Sequence, residues 1–323
     1  MDASNYPFCT IDPNVGVVAV PDERLEKLGQ LSKSEKVTPT VVEFVDIAGL
    51  VKNAHAGEGL GNQFLSHIRE VDAIVEVLRD FEDKNVTHVE GSLDPERDKE
   101  IIALELVMAD LQAVEKRLDK VTKDAKSGEK EVLKVAKVLE LLKVNLADGK
   151  LASEAGLNDE ERLLIKDLSL LTLKPIMFVK NTNNLQLTTN NSQLNDFIEI
   201  DAKKEAELAD LSDEELEELG VRRTGLDKLI CKSYEILNLI TFFTSGPKET
   251  RAWTVVRGAK APVAAGRIHT DFEKGFIRAE VIKYEDYITA GGEYKAKEKG
   301  LMRVEGKEYE VKDGDVIYFR ISS

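Results

Sequence analysis

Val41-Val42-Glu43-Phe44-Val45-Asp46 is a short apolar run that closes on an acid, and Gly49 follows three residues later. β-Branched and aromatic residues in a run of this length predict a strand, with the acid and the glycine at its carboxyl end. Val71 to Leu78 and Pro175 to Val179 are similar runs, separated by stretches of helical pattern. Strands alternating with helices predict an α/β fold: a parallel sheet covered on both faces. An acid at a strand end can hold the water shell of a Mg²⁺ ion, and a following glycine lets a backbone N–H approach a phosphate. The glycines at Gly57, Gly59 and Gly61 would let such a segment move. Taken alone, Asp46 and Gly49 equally describe an ordinary strand-end turn.

Outward from this core the texture changes twice. From Asp98 to about Gly156, charged residues are interleaved with Val107, Leu111, Val114, Leu118 and Val121, then with Val132, Val135, Leu139, Leu142 and Leu146. Each set steps by threes and fours, the spacing of a heptad stripe, and Ser127-Gly128 between them has turn chemistry. The spacing predicts an antiparallel helical hairpin inserted into the α/β part. Its seam would hold the two helices together, and its charged flanks are a candidate partner surface. The sheet pattern resumes near Leu173, Asn181 to Asn195 reads as a polar loop, and helices are expected at Lys203 to Leu219 and Leu226 to Leu239. From Phe242 onward, short strands at Trp253 to Val256, Phe276 to Ile282 and Val316 to Ile321 predict a compact, mainly β domain, with Gly291-Gly292 and Asp313-Gly314 as turns.

The chain has 323 residues, 42% hydrophobic and 33% charged, and a net charge of −15. Such a balance belongs to a folded, soluble protein and disfavours sequence-blind binding to nucleic acid, so no DNA partner is expected. Cys9 and Cys231 cannot make a disulfide framework, no apolar run approaches the ~20 residues of a membrane span, and no leader-like segment opens the sequence. A cytoplasmic location is the expectation. His55, His67, His88 and His269 are too scattered to suggest a metal site.

Five strings carry a resemblance: NYPFCTIDPN (Asn5 to Asn14), FVDIAGLV (Phe44 to Val51), GEGLGNQFL (Gly57 to Leu65), HVEGSLDP (His88 to Pro95) and HTDFEKGFIRAEV (His269 to Val281). On these the chain resembles the Obg-like ATPases of the YchF subfamily. The resemblance implies a P-loop NTPase-type parallel sheet, an inserted helical hairpin and a C-terminal β-grasp-like TGS domain. It divides the chain into 1–84 with 157–241 as the nucleotide-binding domain, 85–156 as the insertion and 242–323 as the TGS domain. It also implies an Mg²⁺-dependent ATP-hydrolysing switch that associates with the ribosome or its RNA. Thr10 and Asp46 take the Mg²⁺-facing positions, and Gly49 and Leu50 the catalytic segment. Leu50 stands where many GTPases place a water-orienting glutamine, and a leucine cannot hydrogen-bond a water.

Base recognition in the family is an Asn-x-x-Glu after a strand, which here maps onto Asn181, Thr182 and Asn184, with Ala202 and Lys203 at the next strand end. Position 184 departs from the pattern. A carboxylate only accepts and suits the adenine amino group, whereas an amide both donates and accepts. No Asn-Lys-x-Asp is present, which disfavours a GTPase. The larger departure is that no G-x-x-x-x-G-K-[ST] occurs in the sequence, so the first strand and phosphate loop expected ahead of Asn5 are missing from it. A fragment of a hydrolysing enzyme and a degenerate, non-hydrolysing ribosome-binding member both remain open. Arg251, Trp253, Lys260, Arg267, His269, Lys274 and Arg278 form the candidate RNA-facing set, with Trp253 in the core as the alternative.

Overall fold

The computed structural model describes residues 14–47, 60–81, 93–124, 130–183, 197–209, 211–219 and 224–322. Thr10, Gly49, Leu50, Asn184 and Cys9 lie outside them. The chain forms two compact units, Met1–Gly16 with Val45–Leu226, and Val17–Phe44 with Asp227–Ser323. That grouping takes residues 17–44 together with the C-terminal residues, which the division by sequence motif does not do.

In chain order, β1 (Asn14–Ala19), α1 (Glu23–Ser32), β2 (Lys36–Thr38) and β3 (Val41–Asp46) come first. β1 and β3 pair as a two-stranded sheet along which the chain passes from one unit to the other. In the first unit, α2 (Leu60–Glu70) leads to β4 (Ile74–Asp80), and the helices α3 (Pro95–Asp124) and α4 (Lys130–Ala147) follow. After α5 (Asp159–Leu164) come β5 (Ile176–Thr182), β6 (Phe197–Ile200), α6 (Ala202–Leu208) and α7 (Asp213–Glu218). β4, β5 and β6 form a parallel three-stranded sheet, and the second edge of β4 is unpaired among the described residues. Val77 on that strand is 60% exposed.

Every residue of the two heptad stripes lies in one core, with Val107, Val114, Val121, Val138, Leu139, Leu142 and Leu146 buried in it. The Glu115–Lys143 ion pair at 2.9 Å fits the antiparallel course of a hairpin. Its root is fixed by Asp110, a buried acid that accepts from the backbone N–H groups of Leu171 and Thr172 and from the Thr172 hydroxyl at 2.7–2.9 Å.

Three expectations need correction. Asn181 and Thr182 are not loop residues but the last two of β5, because both neighbours, β4 and β6, pair with the backbone at Asn181. The single helix expected at Lys203 to Leu219 is two. Ser212 starts α7 with a reciprocal cap, its backbone N–H donating to Glu215 at 2.8 Å and its hydroxyl accepting from Glu215 N at 3.3 Å. Leu239 is not helical: it opens a strand.

The second unit resumes at Asp227, within α8 (Gly225–Ile236), and continues into β7 (Leu239–Ser245), β8 (Glu249–Val256), α9 (Ala261–Ile268), α10 (Thr270–Lys274) and β9 (Phe276–Lys283). It ends with α11 (Tyr284–Ala290), α12 (Glu293–Glu298), β10 (Arg303–Glu305) and β11 (Asp315–Ile321). Six strands form one mixed sheet in the order β10-β9-β11-β7-β8-β2. Successive strand residues point to opposite faces, and here both members of Phe242–Phe243, Val281–Ile282 and Val316–Ile317 are buried, so both faces must be covered. Phe242, Val281 and Ile317 pack with Ala261, Ala264 and Ala265 of α9. Phe243, Ile282 and Val316 pack with Tyr287 of α11, Ala296 of α12, and Leu25 and Leu28 of α1. The second cover therefore includes residues more than 200 positions away. Gly29 allows α1 to lie against β2, since a Cβ there would come within 2.6 Å of the Val37 side chain.

Candidate functional site

Parallel sheets present ligand sites beyond the carboxyl ends of their strands. At that end of β4, β5 and β6 lies a cleft of about 400 Å³ lined by Phe81, Asn181, Thr182, Asn183, Asp201, Lys203, Lys204 and Glu207. Asn181, Thr182 and Lys203 were singled out from the sequence, and the fold brings all three to this cleft. Ala202 enters through its backbone: its N–H donates to Asn181 Oδ1 at 3.0 Å, linking the end of β5 to the start of α6. With Oδ1 engaged, Asn181 has its Nδ2 donor to offer a ligand.

Asp201 caps α6, its Oδ1 accepting from Lys204 N at 3.2 Å and its Oδ2 lying 3.2 Å from Lys204 Nζ. Burial pushes this carboxyl up, but the hydrogen bonds from Lys204 and the Lys204 ammonium outweigh it and hold the group below the usual carboxylate range. Two cations and two acids therefore belong to the lining of the cleft. Phe81 is the aromatic member of the lining. Arg79 fixes it, with Nε donating to the Phe81 carbonyl at 3.0 Å and the guanidinium 4.8 Å from the ring centroid. Sequence reading missed Phe81, Lys204 and Glu207. Phe81 follows directly on a strand whose end was placed at Leu78, and the strand in fact runs to Asp80.

Asp46 is the last residue of β3, exposed, and not part of this lining. An exposed carboxylate at a strand end suits a hard cation that keeps most of its water. Among the described residues no group of three or more His, Cys, Asp or Glu is arranged for a metal.

The candidate RNA-facing set is dispersed in charge. Lys260 pairs with Glu308, and Arg278 lies 3.5 Å from Glu280, which also holds Arg320 at 2.7 Å. Trp253 is partly buried against the sheet core, donating Nε1–H to Thr244 at 3.0 Å under the Arg251 guanidinium at 4.2 Å. Neither Arg267 nor Lys274 has an ion pair among the described residues.

An α/β sheet of the P-loop NTPase type, interrupted by a helical hairpin and followed by a separate sheet domain, is the class that this fold and cleft define. Comparison with known proteins places it more narrowly. A family model described as "YchF-GTPase_C: Protein of unknown function (DUF933)" matches residues 239–322, and one described as "50S ribosome-binding GTPase" matches residues 1–137. The protein named "Ribosome-binding ATPase YchF" in Bacillus subtilis is 49% identical over 99% of this chain and 92% of its own length. The protein of the same name in Escherichia coli O157:H7 is also 49% identical, with the same coverage. The solved structure of the Schizosaccharomyces pombe YchF GTPase superposes with a TM-score of 0.80 at 35% identity, covering 99% of this chain and 90% of that one. The chain belongs to the YchF family. A GTP-binding protein from Pyrococcus horikoshii OT3, at 18% identity and a TM-score of 0.57, shares the fold. No helix among the described residues is long and apolar enough to cross a membrane.

Proposed function

We propose that this protein is an ATP-binding switch that associates with the ribosome, with the adenine base held in the cleft at the ends of β4, β5 and β6. The observation that carries the reading is the tie between Asn181 and Ala202 at a cleft with an aromatic wall. Asn181 Nδ2 donates to the purine N7, an acceptor common to adenine and guanine, and Phe81 stacks on the base. Since that contact does not discriminate, position 184 and the nearby backbone choose between the bases. The relatives named ribosome-binding ATPases support ATP and the ribosome as partners. The hairpin and the C-terminal, TGS-type domain are the surfaces proposed to meet the ribosome or its RNA.

Asp46 and Thr10 would hold Mg²⁺, whose chemistry there is to neutralise phosphate charge. Gly49 supplies a backbone donor toward the phosphates. Leu50 completes the proposed catalytic segment as a side chain that cannot hydrogen-bond the attacking water. Hydrolysis is the second part of the proposal, and binding without turnover is the alternative.

The test is a titration of the full chain with ATP and GTP in the presence of Mg²⁺, alongside Phe81→Ala and Asn184→Glu. Phe81→Ala should weaken both nucleotides by about tenfold, the loss of one stacking contact. Asn184→Glu should raise the ratio of ATP to GTP affinity, because a carboxylate accepts from the adenine amino group. Unchanged affinity in Phe81→Ala would remove the base from this cleft. A tighter grip on GTP in Asn184→Glu would instead favour a GTPase, the activity by which the fission-yeast relative is named.

A further inference from the structure

Leu104, Met108, Gln112 and Lys116 stand four residues apart on α3, and all four are exposed. Side chains four apart on a helix form one ridge, so these make a single line along the outside of α3. Its first half is apolar, with Leu104 55% and Met108 36% exposed, and its second half is polar. Beside the ridge stand Ala109 and Ala113, which have no side chain beyond Cβ. Leu65 and Ile68 of α2 pack with Leu106 and Ala109 of α3. Next to that contact is a groove of about 330 Å³, lined by Leu65 and Arg69 of α2 and by Ala109, Gln112, Ala113 and Lys116 of α3. Both helices belong to the first unit.

Arg69 is held in place: its Nη1 donates to the carbonyls of Leu168 and Ser169 at 3.1 Å each and lies 3.9 Å from the buried Asp110. On α3, Glu115 pairs with Lys143 and Arg117 with Asp167, while Lys116 between them has no ion pair among the described residues. The groove is therefore apolar toward Met108 and cationic toward Lys116. An RNA backbone matches it poorly. Leu104 and Met108 give phosphates nothing, and one unpaired lysine in a chain of net charge −15 neutralises little. A helix with an apolar face matches it well. A ridge with a spacing of four is the surface against which another helix packs, and the flexible thioether of Met108 adapts to what covers it. A side chain from such a helix would enter over Ala109 and Ala113, where α3 has no bulk of its own.

We propose that the groove between α2 and α3 docks an acidic amphipathic helix of a protein partner, with apolar side chains over Leu104, Met108 and the two alanines and a carboxylate at Lys116. Met108 and Lys116 are about two turns apart, or roughly 12 Å along the axis, which sets the spacing between the partner's apolar anchor and its acid. No residue of the base cleft lines this groove, so the inference stands apart from the nucleotide reading.

A display library of random peptides, about four helical turns long, selected against the full chain without nucleotide, tests it. Enriched peptides should carry Leu, Ile, Phe or Met at helical spacing, with Asp or Glu about two turns away. A fluorescein-labelled peptide of the enriched sequence should bind saturably and slow hydrogen exchange in α2 and α3. Lys116→Glu changes an exposed side chain and should weaken that peptide about fivefold, more at low salt. Ala113→Phe fills the groove and should weaken it about tenfold or more. Should Ala113→Phe disturb the hairpin, Met108→Asp on the exposed ridge takes its place. Enrichment of basic or non-helical sequences, or of none, would overturn the proposal. So would a peptide indifferent to Lys116→Glu, or protection that falls outside α2 and α3. Two further results would give the groove to another occupant and end the proposal: self-association in sedimentation that Lys116→Glu abolishes, or binding of an RNA oligonucleotide that the same change abolishes.

Discussion

The helical hairpin and the C-terminal unit are each built on buried apolar side chains, but they recruit the chain in opposite ways. The hairpin seam uses residues between Val107 and Leu146, partners that lie close to one another in the sequence. The C-terminal core uses Leu25 and Leu28 together with Phe243, Ile282, Tyr287 and Val316, and its hydroxyl and ion-pair ties join residues separated by 213, 255 and 289 positions. The first arrangement closes a short loop before its contacts form; the second must close a very long one. A periodic stripe therefore announces itself in sequence, while a cover supplied from far away does not.

The largest expected effect breaks the comparison directly. Residues 239–323 expressed alone should fail to give a cooperative thermal transition, because one sheet face loses Leu25, Leu28 and Val37 and exposes Phe243 and Val316. Co-expression with residues 17–44 should restore it. A cooperative transition from 239–323 alone would mean that α1 and β2 are ornaments on a self-sufficient sheet.

Next come Leu139→Ala and Leu142→Ala, both fully buried in the hairpin seam. Each should cost about 2–5 kcal/mol, the range for large-to-small changes in a packed core. By exchange, the loss should stay within α3 and α4. If β7 and β8 lose protection equally, the hairpin and the C-terminal unit are one cooperative body and the contrast between them is false.

A pH titration sharpens the picture of the first unit. Burial pushes Glu76 on β4 up to about 8, opposed by Lys99 and assisted by Asp98, and its Oε1 has no hydrogen-bond partner among the described residues. Because the folded value lies above the ordinary glutamate value of 4.5, the stabilisation is complete below 4.5 and is lost as pH rises through about 8. The unfolding free energy of the first unit in urea should fall across that window by on the order of 3–5 kcal/mol, and Glu76→Gln should flatten the profile. A wild-type profile as flat as that of the variant would show the carboxylate ionised and solvated.

The smallest effect belongs to the cap of α1. Asp22 accepts from Arg24 N at 3.0 Å, and Asp22→Ala should lower stability by about 1 kcal/mol. Because α1 covers the C-terminal sheet, that loss should appear in the C-terminal unit's transition, although Asp22 lies more than 200 residues from that unit's main segment. A loss confined to the hairpin's transition would detach α1 from the sheet.

Much of the architecture was legible because its signals are local. Heptad spacing placed the hairpin, and an apolar run closing on Asp46 placed β3. Asn181 was found as a site candidate by its motif, although its place within β5 was not, because polar residues weaken a strand signal that pairing on both sides restores. Phe81 carried no signal beyond following a strand, and the cleft it lines exists only once three strand ends meet.

The sequence by itself determined the periodic elements, the motifs and the family they point to, since each is written within a few turns or a few residues. Only the tertiary structure decided that Val17–Phe44 belongs with the C-terminal sheet. The apolar residues of α1 say that one face must be buried, but nothing in their spacing says against what. That choice is made by the sheet face of Phe243, Ile282 and Val316, which is continuous in space and scattered along the chain.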